Sequence, residues 1–194
     1  MPPRTTELTL GFDTSGPYCA AALLADGEIL SSIHEPMNRG QSERLMGLIE
    51  EQLAAQGKGW QDITRIGVGV GPGNFTGIRI GVSAARGLAM SLGVQAVGVS
   101  TFEATLLGQP NTVTALVPAP REQAYVYANG NVTLTADWAA SETALLQPEP
   151  AQLAENIARI AATSDNTQAP VPLYIRPADA APASDPPPVI LDDA

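Results

Sequence analysis

The sequence predicts a mixed α/β protein, with a mixed sheet flanked by helices and a reduced second lobe. Three observations carry this. A strand meander opens the chain, an alternating helix–strand run follows it, and the second half holds too little regular pattern for a lobe of equal size. Length and composition agree. At 194 residues the chain suits one large domain or two small ones. Apolar residues make up 44% and charged residues 15%, so a globular rather than a disordered chain is expected.

The elements follow in order. ELTLGFDT (Glu7 to Thr14) reads as a strand and YCAAALLA (Tyr18 to Ala25) as a second. Asp26-Gly27 between it and EILSSIH (Glu28 to His34) is a two-residue hairpin signal, because glycine accepts the positive φ of a type I′ turn. Asn38-Arg39-Gly40 then breaks the pattern. Leu45, Leu48, Ile49 and Leu53 recur at helical spacing, with Ser42 as the expected N-cap and Gly57 and Gly59 marking the end. RIGVGVG (Arg65 to Gly71) reads as a buried strand entering a glycine-rich loop. A second helix is expected from near Thr76, over Ile78 to Leu92, ending at Gly93; Val94 to Val99 is a short strand. The order β-β-β-α-β-α-β makes the first hundred residues read as one complete lobe.

Beyond it, Thr112 to Val117 and Ala124 to Ala128 read as strands and Gln152 to Ala162 as a helix. They are expected to form the small second lobe. From Pro177 the prolines predict an extended tail. The expected division is 1–103, 104–176 and 177–194.

Composition excludes several functions. Acids outnumber bases 20 to 10, and the basic residues are scattered, so nothing resembles the basic patch of a primary nucleic-acid binder. The one cysteine, Cys19, sits in an apolar run that suggests a buried thiol. The one histidine, His34, rules out a zinc site built on two histidines within one chain and reads as a strand-end side chain. MPPRTTELTLGFDTSG lacks a sustained apolar run of the signal-peptide kind, and a cytoplasmic protein is expected.

Two short motifs bear on chemistry. GPGNFTGIRIG (Gly71 to Gly81) places four glycines between a strand and a helix. It fails the P-loop pattern, since Ile78 follows Gly77 where lysine is needed. It fails the Rossmann pattern too, since Thr76 occupies the third glycine's place. What remains is a helix N-terminus with Asn74 and Thr76 nearby, which suits either an anion or a plain βα turn. FDTSG (Phe12 to Gly16) places a carboxylate, two hydroxyls and a glycine at a strand end, which suits Mg²⁺ and phosphate or an Asx-turn. Separately, Gly77, Gly81, Ala85 and Ala89 repeat every four residues on the second helix, beside Ile78. With Leu45, Met46 and Ile49 of the first helix they form either a joint surface for a partner or the inner faces of two helices covering their own sheet.

FDTSGPYCAAALL, QSERLMGLIEEQL, IGVGVGPGNFTGIRIGVSAARGLAMSLG and GVSTFEA together resemble the TsaB (YeaZ) family, over Leu8 to about Leu107. The resemblance returns at PLYIRPADA (Pro172 to Ala180). It implies an actin-like ATPase (ASKHA, ribonuclease H-like) fold, in which Asp13, Thr14 and Ser15 correspond to the first phosphate turn and Gly71 and Gly73 to a vestigial second. It implies a non-catalytic subunit of tRNA threonylcarbamoyladenosine synthesis, pairing with TsaD through the two helices and working with the ATPase TsaE. A homodimer through the same face is expected when TsaD is absent. No tightly bound cofactor is implied; ATP or ADP at the subunit junction is the nucleotide site left open. On the residues alone, a small ATP-dependent kinase using Asp13 and the Gly71 to Gly77 loop is the alternative, and a metallopeptidase is disfavoured by the single histidine. Three positions depart from the family pattern: Gln41 for a histidine, Asn74 for a serine, and Ala119-Pro120-Arg121 for Asp-Ala-Arg.

Overall fold

Leu8, Leu10 and Phe12 point to one side of the opening strand, β1 (Leu8–Asp13), and Gly11 and Asp13 to the other. This alternation sets the architecture, because each side is covered by different helices. The computed structural model describes residues 7–138 and 143–175. β1 pairs antiparallel with β2 (Tyr18–Ala25), which pairs antiparallel with β3 (Glu28–Pro36). Between them Asp26 and Gly27 have φ of 50° and 89°, as a type I′ turn requires. β4 (Ile63–Gly69) lies parallel to β1, and β5 (Gln95–Val99) parallel to β4, so the sheet order is β3-β2-β1-β4-β5.

On the first face sit α1 (Gln41–Ala55) and α2 (Phe75–Leu92). Leu45, Leu48, Ile49, Leu53, Ile78 and Val82 close over Leu10, Phe12, Leu23, Ile66 and Val68. Each such fully buried side chain contributes about 1.5–3 kcal/mol. The opposite face is covered by α4 (Pro150–Thr163), with Leu153, Ala154, Ile157, Ala158 and Ala161 inward. α4 starts with proline in its first turn, where no backbone hydrogen bond is lost.

The placement of α4 departs from the sequence reading. The helix expected in the second lobe packs on the first sheet, against β1, β2 and β4. The cause lies in Gly11 and Gly67. They leave a shallow channel on that face, and a Cβ at Gly11 would stand 2.5 Å from the Ala154 carbonyl oxygen. The first hundred residues alone leave this face uncovered.

α3 (Thr101–Leu106) leads to the second sheet of β6 (Thr114–Ala119), β7 (Gln123–Ala128), β8 (Asn131–Thr135) and β9 (Ala144–Leu146). Its order is β8-β7-β6-β9, with β9 parallel to β6. That repeats the β3-β2-β1-β4 arrangement of the first sheet without a fifth strand. Phe102 fills its core with Val117 and Tyr125 and stacks on Tyr127 at 5.1 Å.

Smaller differences concern element ends. α1 begins at Gln41 after Gly40, whose φ is 92°, so Ser42 lies inside the helix and donates to the Glu43 carboxylate at 2.7 Å. α2 begins at Phe75, beside Thr76 as expected, and Asn74 is its cap. Gly93, with φ 67°, ends it as expected. α3, β8 and β9 are too short or too polar to show a sequence period. The tail expected over 177–194 lies outside the described residues.

Candidate functional site

The FDTSG turn follows β1 directly. Asp13 is wholly buried, and its Oδ2 accepts from the Ser15 hydroxyl at 2.9 Å, the Tyr18 hydroxyl at 2.8 Å and, more loosely, the Ser15 amide at 3.3 Å. Oδ1 has no partner among the described residues and is pressed against Gly69, where no Cβ fits. Burial raises the carboxyl above its usual range, against the pull of these hydrogen bonds. Burial likewise pushes the Tyr18 phenol up.

The glycine loop lies directly on this turn. The Asn74 amide donates to the Ser15 carbonyl at 2.6 Å, and the Thr14 hydroxyl donates to the Gly77 carbonyl at 2.7 Å. The Gly77 amide donates to Asn74 Oδ1 at 2.9 Å, which caps α2. Gly73 passes so close to Ser15 that a Cβ would stand 2.5 Å from its carbonyl oxygen. Gly71, with φ 98°, turns the chain at the top of β4. The two motifs are therefore brought together, as the sequence pattern suggests. Several of their donors serve each other: the Ser15, Asn74 and Gly77 amides and the Thr14 hydroxyl all have acceptors within the two loops. Asn74 replaces the serine of the family pattern with an equally good cap.

Beside the turn a cleft of about 910 Å³ opens between the lobes. Its walls include Gln41, Asn74, Phe75, Tyr125, Gln147 and Tyr174, and among the described residues no charged side chain lines it. Two departures from the family pattern fall here. Gln41 makes only long contacts, 3.5 Å, to the Gly16 and Met37 carbonyls. Ala119 and Pro120 form part of the opposite wall. Among the described residues no group of His, Cys, Asp and Glu is placed to hold a metal ion. No helix among them is long and apolar enough to cross a membrane.

The expected partner surface needs correction. Gly77, Ile78, Gly81 and Ala85 face the protein's own sheet: Gly77 lies on the Thr14 carbonyl, and a Cβ at Gly81 would stand 2.8 Å from Thr14 Oγ1. Ile49 is buried in the same core, and Ala89 packs partly against it. The small-residue strip thus lets α2 approach β1 closely. Only Leu45 and Met46 of the expected set line the groove between α1 and α2, which holds about 530 Å³. Its other walls are Ser42, Thr76, Arg79, Ile80, Ser83 and Ala84. Ile80 and Ala84 are spaced four apart like the inward strip, but rotated one position around the helix, and it is this neighbouring row that lines the groove. Cys19 is buried as expected, and its thiol is pushed up to about 11, chiefly by burial.

The two-lobed order, with β3-β2-β1-β4 repeated in the second sheet, is that of the actin-like, ribonuclease H-like proteins. A solved structure of a Pseudomonas aeruginosa protein described as similar to peptidase YeaZ has the same fold, with a TM-score of 0.67 at 24% identity, over 88% of this chain and 100% of that one. The family profile described as "TsaD: tRNA N6-adenosine threonylcarbamoyltransferase" matches residues 29–179. The TsaB protein of Haemophilus influenzae is 34% identical over 121 residues, 60% of this chain and 51% of that protein. The TsaB protein of Escherichia coli is 36% identical over 93 residues, 48% and 40% of the two chains. The chain belongs to the family of this profile, on its TsaB (YeaZ) branch of tRNA threonylcarbamoyladenosine biosynthesis proteins. It spans about half the length of the curated relatives it matches.

Proposed function

We propose that this chain is a non-catalytic accessory subunit in tRNA threonylcarbamoyladenosine synthesis, docking through the α1–α2 groove onto a TsaD-type protein and working with a TsaE-type ATPase. The observation that carries this reading is the contrast between the two surfaces. The two loops bind each other through the Thr14 hydroxyl and the Ser15, Asn74 and Gly77 amides, whereas the groove leaves Met46, Ile80 and Ala84 only half covered. A TsaD-type chain offers the same paired helices, so like packs on like. A second copy of this chain takes that place when no such partner is present. A nucleotide at the subunit junction fits the reading.

The test is reconstitution. The purified chain alone should leave tRNA unmodified, and should restore modification when mixed with its TsaD-type and TsaE-type partners. Ile80→Glu and Ala84→Glu should abolish co-purification with the TsaD-type protein while the circular dichroism spectrum stays unchanged. Gly81→Leu and Ala85→Glu are unsuitable, since both sites face the core. Co-purification that survives both groove variants overturns the docking mode. The kinase reading returns only if calorimetry shows micromolar Mg-ATP binding that Asp13→Ala removes.

A further inference from the structure

Among the described residues that line the α1–α2 groove, Arg79 alone carries a charge. Its guanidinium is held in place. The central carbon lies 4.1 Å from the Phe75 ring centroid and 5.9 Å from that of Tyr174, and Nε donates to the Tyr174 hydroxyl at 2.9 Å. The two rings stack on each other at 4.7 Å, so the brace is itself braced. Nη1 and Nη2 have no acceptor among the described residues, and no carboxylate there pairs with this side chain.

Arg44 on α1 is the contrast. Its Nε donates to Glu35 at 2.7 Å, and its Nη1 and Nη2 donate to Glu51 at 2.9 and 2.8 Å. One arginine beside the groove is thus fully paired within the chain. The other is oriented by neutral groups and keeps the two outer nitrogens of its fork open.

In the free chain water serves those nitrogens, because Arg79 is exposed. Docking changes this. A helix laid on Met46, Ile80 and Ala84 also covers Arg79, which precedes Ile80 on α2. A guanidinium that loses water without gaining an acceptor is costly. The carbonyls along a partner helix are already bonded within that helix, so the acceptor has to come from a side chain. A carboxylate meets both needs, since it opposes the charge and fits the planar fork with two parallel hydrogen bonds.

We infer that Arg79 is a specificity contact of the groove, receiving an Asp or Glu carboxylate from the docked helix, and that Phe75 and Tyr174 are its positioning residues. The inference rests on docking through the α1–α2 groove. Arg79 and Ala84 are about 7.5 Å apart along α2, so the acid belongs within about two turns of the residue that covers Ala84.

The test is calorimetric titration of the full chain with its TsaD-type protein at low and high salt. Arg79→Ala should raise Kd about thirtyfold, because it leaves the partner's carboxylate buried without its cation, and should flatten the salt dependence. Arg79→Lys should keep the salt dependence and recover only part of the affinity. Tyr174→Phe retains the charge and the ring stack, and should keep the salt dependence with Kd within a few-fold. Ile80→Glu reports on the docking mode separately. If it abolishes binding while Arg79→Ala binds like the unaltered chain, this inference is overturned and groove docking stands. If neither variant matters, both are overturned. Equal losses in Tyr174→Phe and Arg79→Ala would make Arg79 a local brace and overturn the inference. So would weakened self-association in Arg79→Ala with unchanged binding to the TsaD-type protein, which would give the contact to a second copy.

Discussion

Both faces of the first sheet receive a helix at close range, but the glycines that permit it sit on opposite partners. On the α2 face the helix supplies them: Gly77 and Gly81 lie on Thr14 and on Val68 of β4. On the α4 face the sheet supplies them: Gly11 and Gly67 receive Ala154, Ile157, Ala158 and Ala161. The arrangement has a consequence for reading and for function. A small-residue strip on a helix looks like an invitation to a partner, and here it is answered by the protein's own strand. The sheet glycines break an apolar pattern, look like weak strand positions, and are the reason a distant helix docks there.

The comparison is broken first by adding single methyl groups. Gly77→Ala and Gly11→Ala each drive a Cβ into backbone atoms that have no flexible end to give way. Each should cost about 3 kcal/mol, the upper part of the usual overpacking range, read as a lower urea midpoint at unchanged m-value. If Gly11→Ala proved harmless while Gly77→Ala did not, the α4 face would be the looser of the two. Next, Asn74→Ala removes the α2 cap and should cost about 1 kcal/mol in the same assay, with no counterpart at α4, whose start has no side-chain cap. Smaller again is Arg79→Ala. Its guanidinium lies 4.1 Å from the Phe75 ring centroid and donates to the Tyr174 hydroxyl at 2.9 Å, and this exposed latch should be worth about 0.5–1 kcal/mol.

The last test changes a slope more than a size. Burial raises the folded-state pKa of Asp13 above its unfolded value, so the native state holds a proton that the unfolded chain gives up. The site is therefore least costly below the unfolded pKa. Its penalty grows as pH rises from there through the folded pKa, and is full above it. Asp13→Asn should raise the thermal midpoint at neutral pH, and the gain should shrink as pH falls towards the ordinary aspartate value. A gain that is constant with pH would mean that Asp13 is ionised equally in both states.

The first lobe was legible because its signals are local. Asp26-Gly27 names its turn, Gly93 ends its helix, and the apolar periods of α1 and α2 are long. The convergence of FDTSG and the glycine loop was also readable, since both follow strands of one parallel pair. What the loops do to each other was not readable: the bonds from Thr14 to Gly77 and from Asn74 to Ser15 span about sixty residues and leave no periodic trace. The orientation of α2 failed for a related reason. Ile80 and Ala84 differ from the inward strip by one position of rotation, and only the sheet beneath decides which row is covered. β8 and β9, at five and three residues, are too short for any period to emerge.

The position of α4 also sets the schedule of folding. Gly11 is made well before Ala154, yet the two meet where α4 packs on the sheet. Contacts of such long range close late and slow the search for the native topology. During synthesis the meander, α1 and α2 emerge and pair while one broad face of their sheet is still bare. Until the ribosome has delivered the residues of α4, the chain is a half-clad sheet of the kind that chaperones hold and that crowded translation sites aggregate.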